Sequence, residues 1–176
     1  LPELSTVSKV MIYDTKTGDT HQVTDNWYDA GSSVFSSDGK YLFFTSSRDF
    51  NPIYSWTEWN HAYRDMSKIY FVTLQKSTPS PFEPTNDEVS VKKEDKKSDS
   101  NKKSKKDNSK EAEEKDEFEV KIDFDGIRDR VIVLPGKAGS YWNLNPLDGK
   151  IYYNYTDSKT RGAKLMMYDL KSQKSN

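Results

Sequence analysis

The sequence predicts an all-β fold: a partial β-propeller of antiparallel four-stranded blades, with about one complete blade and two partial blades. Three observations lead there. Short runs of β-branched and aromatic residues alternate with Gly, Asp and Pro turn chemistry. An Asp-Gly-Lys turn followed by an aromatic-rich strand occurs twice, in FSSDGKYLFFTSS (Phe35–Ser47) and LNPLDGKIYYNYTDS (Leu144–Ser158). A second motif, Lys then an aromatic-aliphatic strand then a polar turn, occurs three times, in SKVMIYDTKTG (Ser8–Gly18), SKIYFVTLQK (Ser67–Lys76) and AKLMMYDLKSQ (Ala163–Gln173). Along the chain they run second, first, second, insert, first, second. That order is the sequence form of repeated four-stranded meanders. A generic antiparallel sheet with chance Asp-Gly turns is the competing reading, and the ordered alternation of two motifs speaks against it.

Taken in order, residues 1–32 read as the outer strands of a preceding blade. Val10 to Thr15 and Thr20 to Thr24 flank the turn Thr17-Gly18-Asp19. Residues 33–75 and 118–136 read as one complete blade. Asp38-Gly39 suits the positive-φ positions of a tight hairpin turn. Tyr41 to Thr45 is nearly continuously apolar, as a strand buried on both faces would be. Arg48 to Met66 is aromatic without clean alternation and reads as a long loop with one helical turn near Glu58 to Tyr63. Lys68 to Leu74 is a third strand. After the insert, Glu119 to Phe124 alternates sharply and reads as the outer strand, with a second apolar stretch from Arg130 to Leu134. Residues 137–176 read as the first strands of a following blade, Tyr141 to Asp157 and Lys164 to Leu170.

Residues 76–117 read as a disordered, low-complexity insert. TPSPFEPT (Thr78–Thr85) holds three prolines, which a central strand does not tolerate. From Lys92 to Glu117 there are ten Lys against nine Asp and Glu, with no Arg and no aromatic residue. Such self-cancelling charge suits a solvated loop better than a nucleic-acid arm, which needs a basic excess and Arg or aromatic contacts. Net charge over all 176 residues is −1, so bulk electrostatics point to no polyanion. No apolar run approaches the ~20 residues of a membrane-spanning helix. Cys is absent, which removes disulfides, thiolate metal sites and Cys nucleophiles. The start at Leu1, in polar sequence, reads as a processed protein or a piece of a longer one.

DGKYLFFTSSRDFNP, YSWTEWNHAYRDMSKIYFVTL, the Pro-rich TPSPFEP, then EVKIDFDGIRDRVIVLPGKAGSYWNL beyond the insert, resemble in that order the β-propeller region of Tricorn-type serine proteases and their bacterial homologues. The resemblance covers nearly the whole chain outside the insert. It implies a large parent with two propellers, a PDZ-like domain and a serine-protease core, in which the propellers admit or guide peptides and do not cleave them. It implies as partners the remainder of that protease and peptide substrates; from the charge balance and the lack of a long apolar run no nucleic acid and no membrane are expected, and no cofactor is expected. It favours a periplasmic over a cytoplasmic setting, since bacterial relatives are often exported and the archaeal enzymes are cytosolic. No motif here matches the family's catalytic residues. A stand-alone TolB-like binding or scaffold propeller, and an enzyme built from the blades themselves, remain alternatives. Fewer than three blades do not close a ring, so exposed sheet faces and edges at both ends, or self-association, are expected.

Few residues carry candidate chemistry. His21 and His61 are the only histidines; His61, near Glu58 and Asp65, could act as a general base or metal ligand, and His21 lies in a polar strand after a turn. Packing is the simpler role for both. Asp123, Asp125, Gly126 and Asp129 hint at a calcium loop, but Phe124, Ile127, Arg128 and Arg130 break the required alternation of ligands. Asn154-Tyr155-Thr156 fits a glycosylation acceptor but lies in a strand, so it carries no weight. The best contact candidates are Trp56, Trp59, His61 and Tyr63, in a loop suited either to a peptide or to covering a neighbouring blade.

Overall fold

In the computed structural model, residues 7–49, 52–54, 61–83 and 120–176 are described. The strands are β1 (Met11–Tyr13), β2 (Thr20–Gln22), β3 (Ala30–Phe35), β4 (Tyr41–Ser46), β5 (Pro52–Tyr54), β6 (His61–Tyr63), β7 (Lys68–Thr73), β8 (Val131–Val133), β9 (Ser140–Leu147), β10 (Lys150–Thr156), β11 (Lys164–Asp169) and β12 (Lys174–Ser175). All pairings are antiparallel. They form a hairpin β1-β2, a central blade β3-β4-β7-β8, a small ladder β5-β6 and a second blade β9-β10-β11-β12. The following blade thus gains a short fourth strand that polar Lys174-Ser175 does not announce in sequence.

The central blade packs on both faces. Leu42, Phe44, Tyr70 and Val72 meet Val10, Ile12 and Val23 of the hairpin side. Phe43, Ile69 and Phe71 meet Ile151, Tyr153, Tyr155 and Tyr168 of the second blade. Alternate residues of β4 and β7 therefore point into two different cores, which is why the two strands read as unbroken apolar runs. The outer sides of the flanking units are bare: Tyr13 is 62% and Leu165 76% exposed.

The two Asp-Gly-Lys turns differ. Asp148 and Gly149 both have positive φ (49° and 72°) and form a two-residue turn between β9 and β10. At the first turn only Gly39 has positive φ (63°), and Ser36 N–H donates to Tyr41 O across a four-residue loop. The expected tight turn at Asp38-Gly39 is corrected to this wider one. Ser36 Oγ holds it, accepting from the N–H of Lys40 and Tyr41 and donating to Asp38.

Three further expectations are corrected. Residues 120–124 are not the outer strand. The outer side of β7 is taken by β8, with Tyr70 opposite Val133 and Val72 opposite Val131. Val120, Ile122 and Phe124 instead pack against the hairpin-side core, so their alternation reports burial without a ladder. The helical turn near Glu58 to Tyr63 does not form over His61–Tyr63, which pairs with Pro52–Tyr54. The packed chain also runs on past Lys76 to Glu83. Phe82 lies edge-on to Phe71 and Tyr168, with ring centroids 5.6 and 6.3 Å away. The remainder of the insert, from residue 84, lies outside the described residues.

Arg130 ties the two ends of the insert together. Its Nε donates to Thr73 O (3.1 Å), Nη1 to Asp125 O (2.9 Å), and Nη2 to Leu74 O (3.4 Å) and Asp123 O. Asp123 N–H donates to Leu74 O (2.8 Å), and Asp123 Oδ2 accepts from Lys76 N–H (2.8 Å). Lys76 Nζ pairs with Asp125. Charged hydrogen bonds are worth about 1.5–3 kcal/mol each when lost, and these share one donor group. Arg130→Ala is expected to lower stability by about 2–4 kcal/mol in urea unfolding, while removal of residues 84–117 changes it by only about 1 kcal/mol, because closure entropy grows with the logarithm of length.

Gly139 joins the blades at the opposite end. Its N–H donates to Ser67 O (2.9 Å), and a Cβ there would lie 2.8 Å from Thr156 O and 2.4 Å from Tyr155 Cε2. Gly139→Ala is expected to cost about 1–3 kcal/mol, the usual range for overpacking, read as a lowered melting temperature.

Candidate functional site

The blade ends carry different elements. At one end lie the turn Ser37–Lys40, the turn Asp148-Gly149 and both anchors of the insert; Asp148 N–H donates to Ser37 Oγ (3.3 Å) across the blades. At the other end the chain passes from β4 through β5 and β6 to β7. Six residues of β7 separate the two ends by about 20 Å.

The β5-β6 ladder carries the aromatic segment. The backbones of His61 and Tyr63 lie in β6, opposite Tyr54 and Pro52. Trp56 and Trp59 lie outside the described residues. The base of the segment is well braced. Asp49 N–H donates to Met66 O (3.0 Å), Lys68 Nζ sits 2.9 Å from Asp49 Oδ2, and the Ser47 and Ser67 hydroxyls are 2.8 Å apart. Asp65, held at φ 54°, accepts from Ser158 N–H and Oγ of the second blade.

The segment leading from β2 to β3 lies at the same end. Asp29 O accepts from Ser46 Oγ and Ser47 N–H, both at 3.0 Å. Asp29 Oδ1 accepts from Ser8 N–H, and Asp25 Oδ1 from Trp27 N–H. This rigid turn presents Trp27 at 82% and Tyr28 at 44% exposure. The Arg48 guanidinium lies 4.9 Å from the Tyr70 ring centroid and 5.8 Å from that of Tyr28, with Asp25 at 3.8 Å. Sequence reasoning missed Trp27 and Tyr28. Their signal was an aromatic pair inside the non-alternating run Asp25–Asp29, which holds no strand for it to serve.

Other candidates are accounted for by packing. His21 stacks on Phe124 with ring centroids 3.6 Å apart and planes 12° from parallel. Asp123 and Asp125 are engaged by Lys76. Asn154 lies within β10.

Tyr155 and Asp157 form the titratable pair of this end. Tyr155 Oη donates to Asp157 Oδ2 at 2.9 Å. Burial, and then the carboxylate, push the phenol up to about 12. The hydrogen bonds from Thr160 and Tyr155 hold the Asp157 carboxyl down to about 2. A lowered carboxyl stabilises above its ordinary 3.8 and loses that contribution as pH falls towards about 2. A raised phenol stabilises below its ordinary 10.0 and loses that contribution as pH rises through about 12. The melting-temperature gap between the native chain and Tyr155→Phe is therefore expected to be widest between those limits and to narrow on both sides.

The family model for the Tricorn protease second beta propeller domain matches residues 1–176. Tricorn protease homolog 1 of Streptomyces coelicolor is 29% identical over 133 residues, covering 75% of this chain and 11% of that protein. A second tricorn protease homolog of the same organism is 28% identical over 127 residues, covering 72% of this chain and 10% of that protein. The chain thus spans about a tenth of the length of either relative. The crystal structure of the tricorn protease superposes with a TM-score of 0.66 at 17% identity, over 96% of this chain and 15% of that one, a likeness of fold. With a family match over its whole length and two four-stranded blades packed face to face, the chain belongs to the Tricorn protease second beta propeller domain family.

Proposed function

We propose that this chain is a non-catalytic propeller segment of a Tricorn-like serine protease, and that its aromatic end guides peptide substrates. Its blades form wall, and further blades with PDZ-like and catalytic domains are its partners in the parent. The observation that carries the guiding role is the bare, braced pair Trp27 and Tyr28 beside Arg48, at the end that also bears the β5-β6 ladder. Aromatic and Arg side chains supply large contact area at low entropic cost, which suits transient hold on an extended chain. Trp56, Trp59, His61 and Tyr63, the contact candidates read from the sequence, belong to the chain segment between β4 and β7 that leaves this end.

The test is titration of mixed-sequence peptides against tryptophan fluorescence. Trp27→Ala, and Trp56→Ala with Trp59→Ala, are expected to weaken binding about 10-fold or more, as hot-spot truncations do. Binding unchanged in these variants removes the guiding role. Peptide turnover by the isolated chain, absent from a mock purification carried out without it, contradicts the non-catalytic assignment.

A further inference from the structure

The chain holds three Asp-Gly pairs, Asp38-Gly39, Asp125-Gly126 and Asp148-Gly149, and each lies in a turn. Glycine places no Cβ in the way, so its backbone nitrogen can close on the carboxyl of the preceding aspartate. Whether it does so depends on three things: a carboxyl free to be protonated, an N–H free to react, and room to move.

Two of the pairs are tied down. Asp38 Oδ1 accepts from Ser36 Oγ (2.6 Å) and from Lys40 N–H (3.2 Å), and Gly39 N–H donates to Ser36 O (3.0 Å). Partial burial raises the Asp38 carboxyl, but the bonds from Ser36 and Lys40 outweigh it and hold the group below its ordinary value. The Asp125 carboxylate is bonded to Lys76, which holds it low as well, and Asp125 O accepts from Arg130 Nη1 (2.9 Å). A carboxylate held in its charged form resists attack, because it must be protonated before it can lose water.

Asp148-Gly149 differs at each point. Asp148 is exposed, and its hydrogen bond across the blades uses its N–H; no described residue bonds or ion-pairs its carboxyl. Gly149 N–H has no described acceptor, while Gly149 O accepts from Leu170 N–H (3.0 Å). A Cβ built on Gly149 would meet nothing within 4 Å, so the space around the turn is open. Asp148 also holds φ at 49°, a left-handed conformation that residues other than Gly adopt at a cost. Rotation towards ring closure is opposed by the flanking pair Leu147 and Lys150 and favoured by release of that strain.

We propose that Asp148-Gly149 is a site of spontaneous covalent modification, where the Asp148 side chain takes over the backbone link and leaves an isoaspartyl residue. Gly149 N attacks Cγ of the neutral acid. A C–N bond forms, the N–H proton passes to solvent, and the Cγ hydroxyl leaves as water, giving a cyclic imide. Water then opens the imide. Attack at Cγ restores aspartate, and attack at the α-carbonyl carbon leaves Cγ in the main chain. Water is released once and consumed once, and no other co-reactant is needed. The product adds a methylene to the main chain of a two-residue turn. It therefore shifts Asp148 N–H away from Ser37 Oγ, a contact between the blades, and Gly149 O away from Leu170 N–H. The site lies at the insert end, so failure of the peptide-guiding reading at the other end leaves it standing.

The test incubates the full 176-residue chain at neutral pH and locates isoaspartate by peptide mass spectrometry, with methyl transfer by an isoaspartyl methyltransferase as an independent probe. Isoaspartate, and the imide one water lighter, are expected to form at residue 148 about 10-fold or more faster than at 38 or 125. Those two must first give up a hydrogen bond, and 10-fold is about 1.4 kcal/mol in barrier. In urea, where the turns are gone, the three rates are expected to converge. Ser36→Ala is expected to raise the rate at 38, and Lys76→Ala the rate at 125, each leaving 148 unchanged. Asp148→Glu is expected to remove the signal from that turn in a folded chain, because closure would need a larger ring. Equal rates at the three sites in the folded chain, or conversion led by 38 or 125, overturn the assignment. So does a rate at 148 that rises about 10-fold in urea, since the hairpin would then be protecting the pair.

Discussion

Burial of β4 and β7 on both faces is the constraint on which the rest depends. Phe43, Phe71 and Ile69 enter one core while Leu42, Phe44 and Val72 enter the other, and all six are 2% exposed or less. Each such side chain contributes about 1.5–3 kcal/mol on leaving water. The pair has no polar face to spare, so it needs a neighbour on each side. The hairpin β1-β2 and the blade β9-β12 are those neighbours. Side chains free to meet another molecule can then project only from the ends of the strands and from the bare outer faces.

That constraint was legible in the sequence, because a period of two with both phases apolar leaves an unbroken run such as Tyr41 to Thr45. The finer register was not. The two Asp-Gly-Lys motifs align Tyr41 with Ile151, yet Tyr41 stands opposite Thr73 while Ile151 stands opposite Tyr168. Since Thr73 corresponds to Asp169, the structural match of Tyr41 is Lys150, one residue away. A one-residue slip turns every side chain to the other face. The difference in turn length absorbs it: four residues at Ser37–Lys40, two at Asp148-Gly149. A shared tripeptide thus marked two hairpins correctly and hid that their loops differ.

Residues 120–124 show a second limit of pattern. Alternating burial is necessary for a half-buried strand but follows from any extended chain laid on a core. Ladder pairing depends on which backbone is held beside β7, and Arg130 fixes the approach to it. By holding Thr73 O, Leu74 O, Asp123 O and Asp125 O together, it places the turn Ile127–Arg130 so that Val131 begins opposite Val72. The buried Ile127 plugs the hairpin-side core beneath that turn. One guanidinium with donors in several directions was invisible to periodicity. So was Trp27, whose importance lies in a rigid turn around it and not in any repeat.

The insert is anchored asymmetrically. Phe82, on the outgoing arm, packs against Phe71 and Tyr168 in the interface with the second blade. Phe124, on the returning arm, stacks on His21 in the interface with the hairpin. The two arms therefore close over opposite faces of the central blade, and each seals a core that the blade alone leaves open at its edge. Closing a loop of this length costs only a few kcal/mol and rises slowly with further residues. Burial of two aromatic rings and the shared hydrogen bonds of Arg130 are of comparable size. The fold thus depends on where the arms are fastened, and hardly on how many residues separate them. That explains how a highly charged segment with almost nothing apolar to bury can interrupt a blade whose core is apolar throughout. The hydrogen-bonded anchors of that segment, Lys76 and Asp123, lie at one end of the blade, about 20 Å of strand away from the Trp27 and Arg48 end.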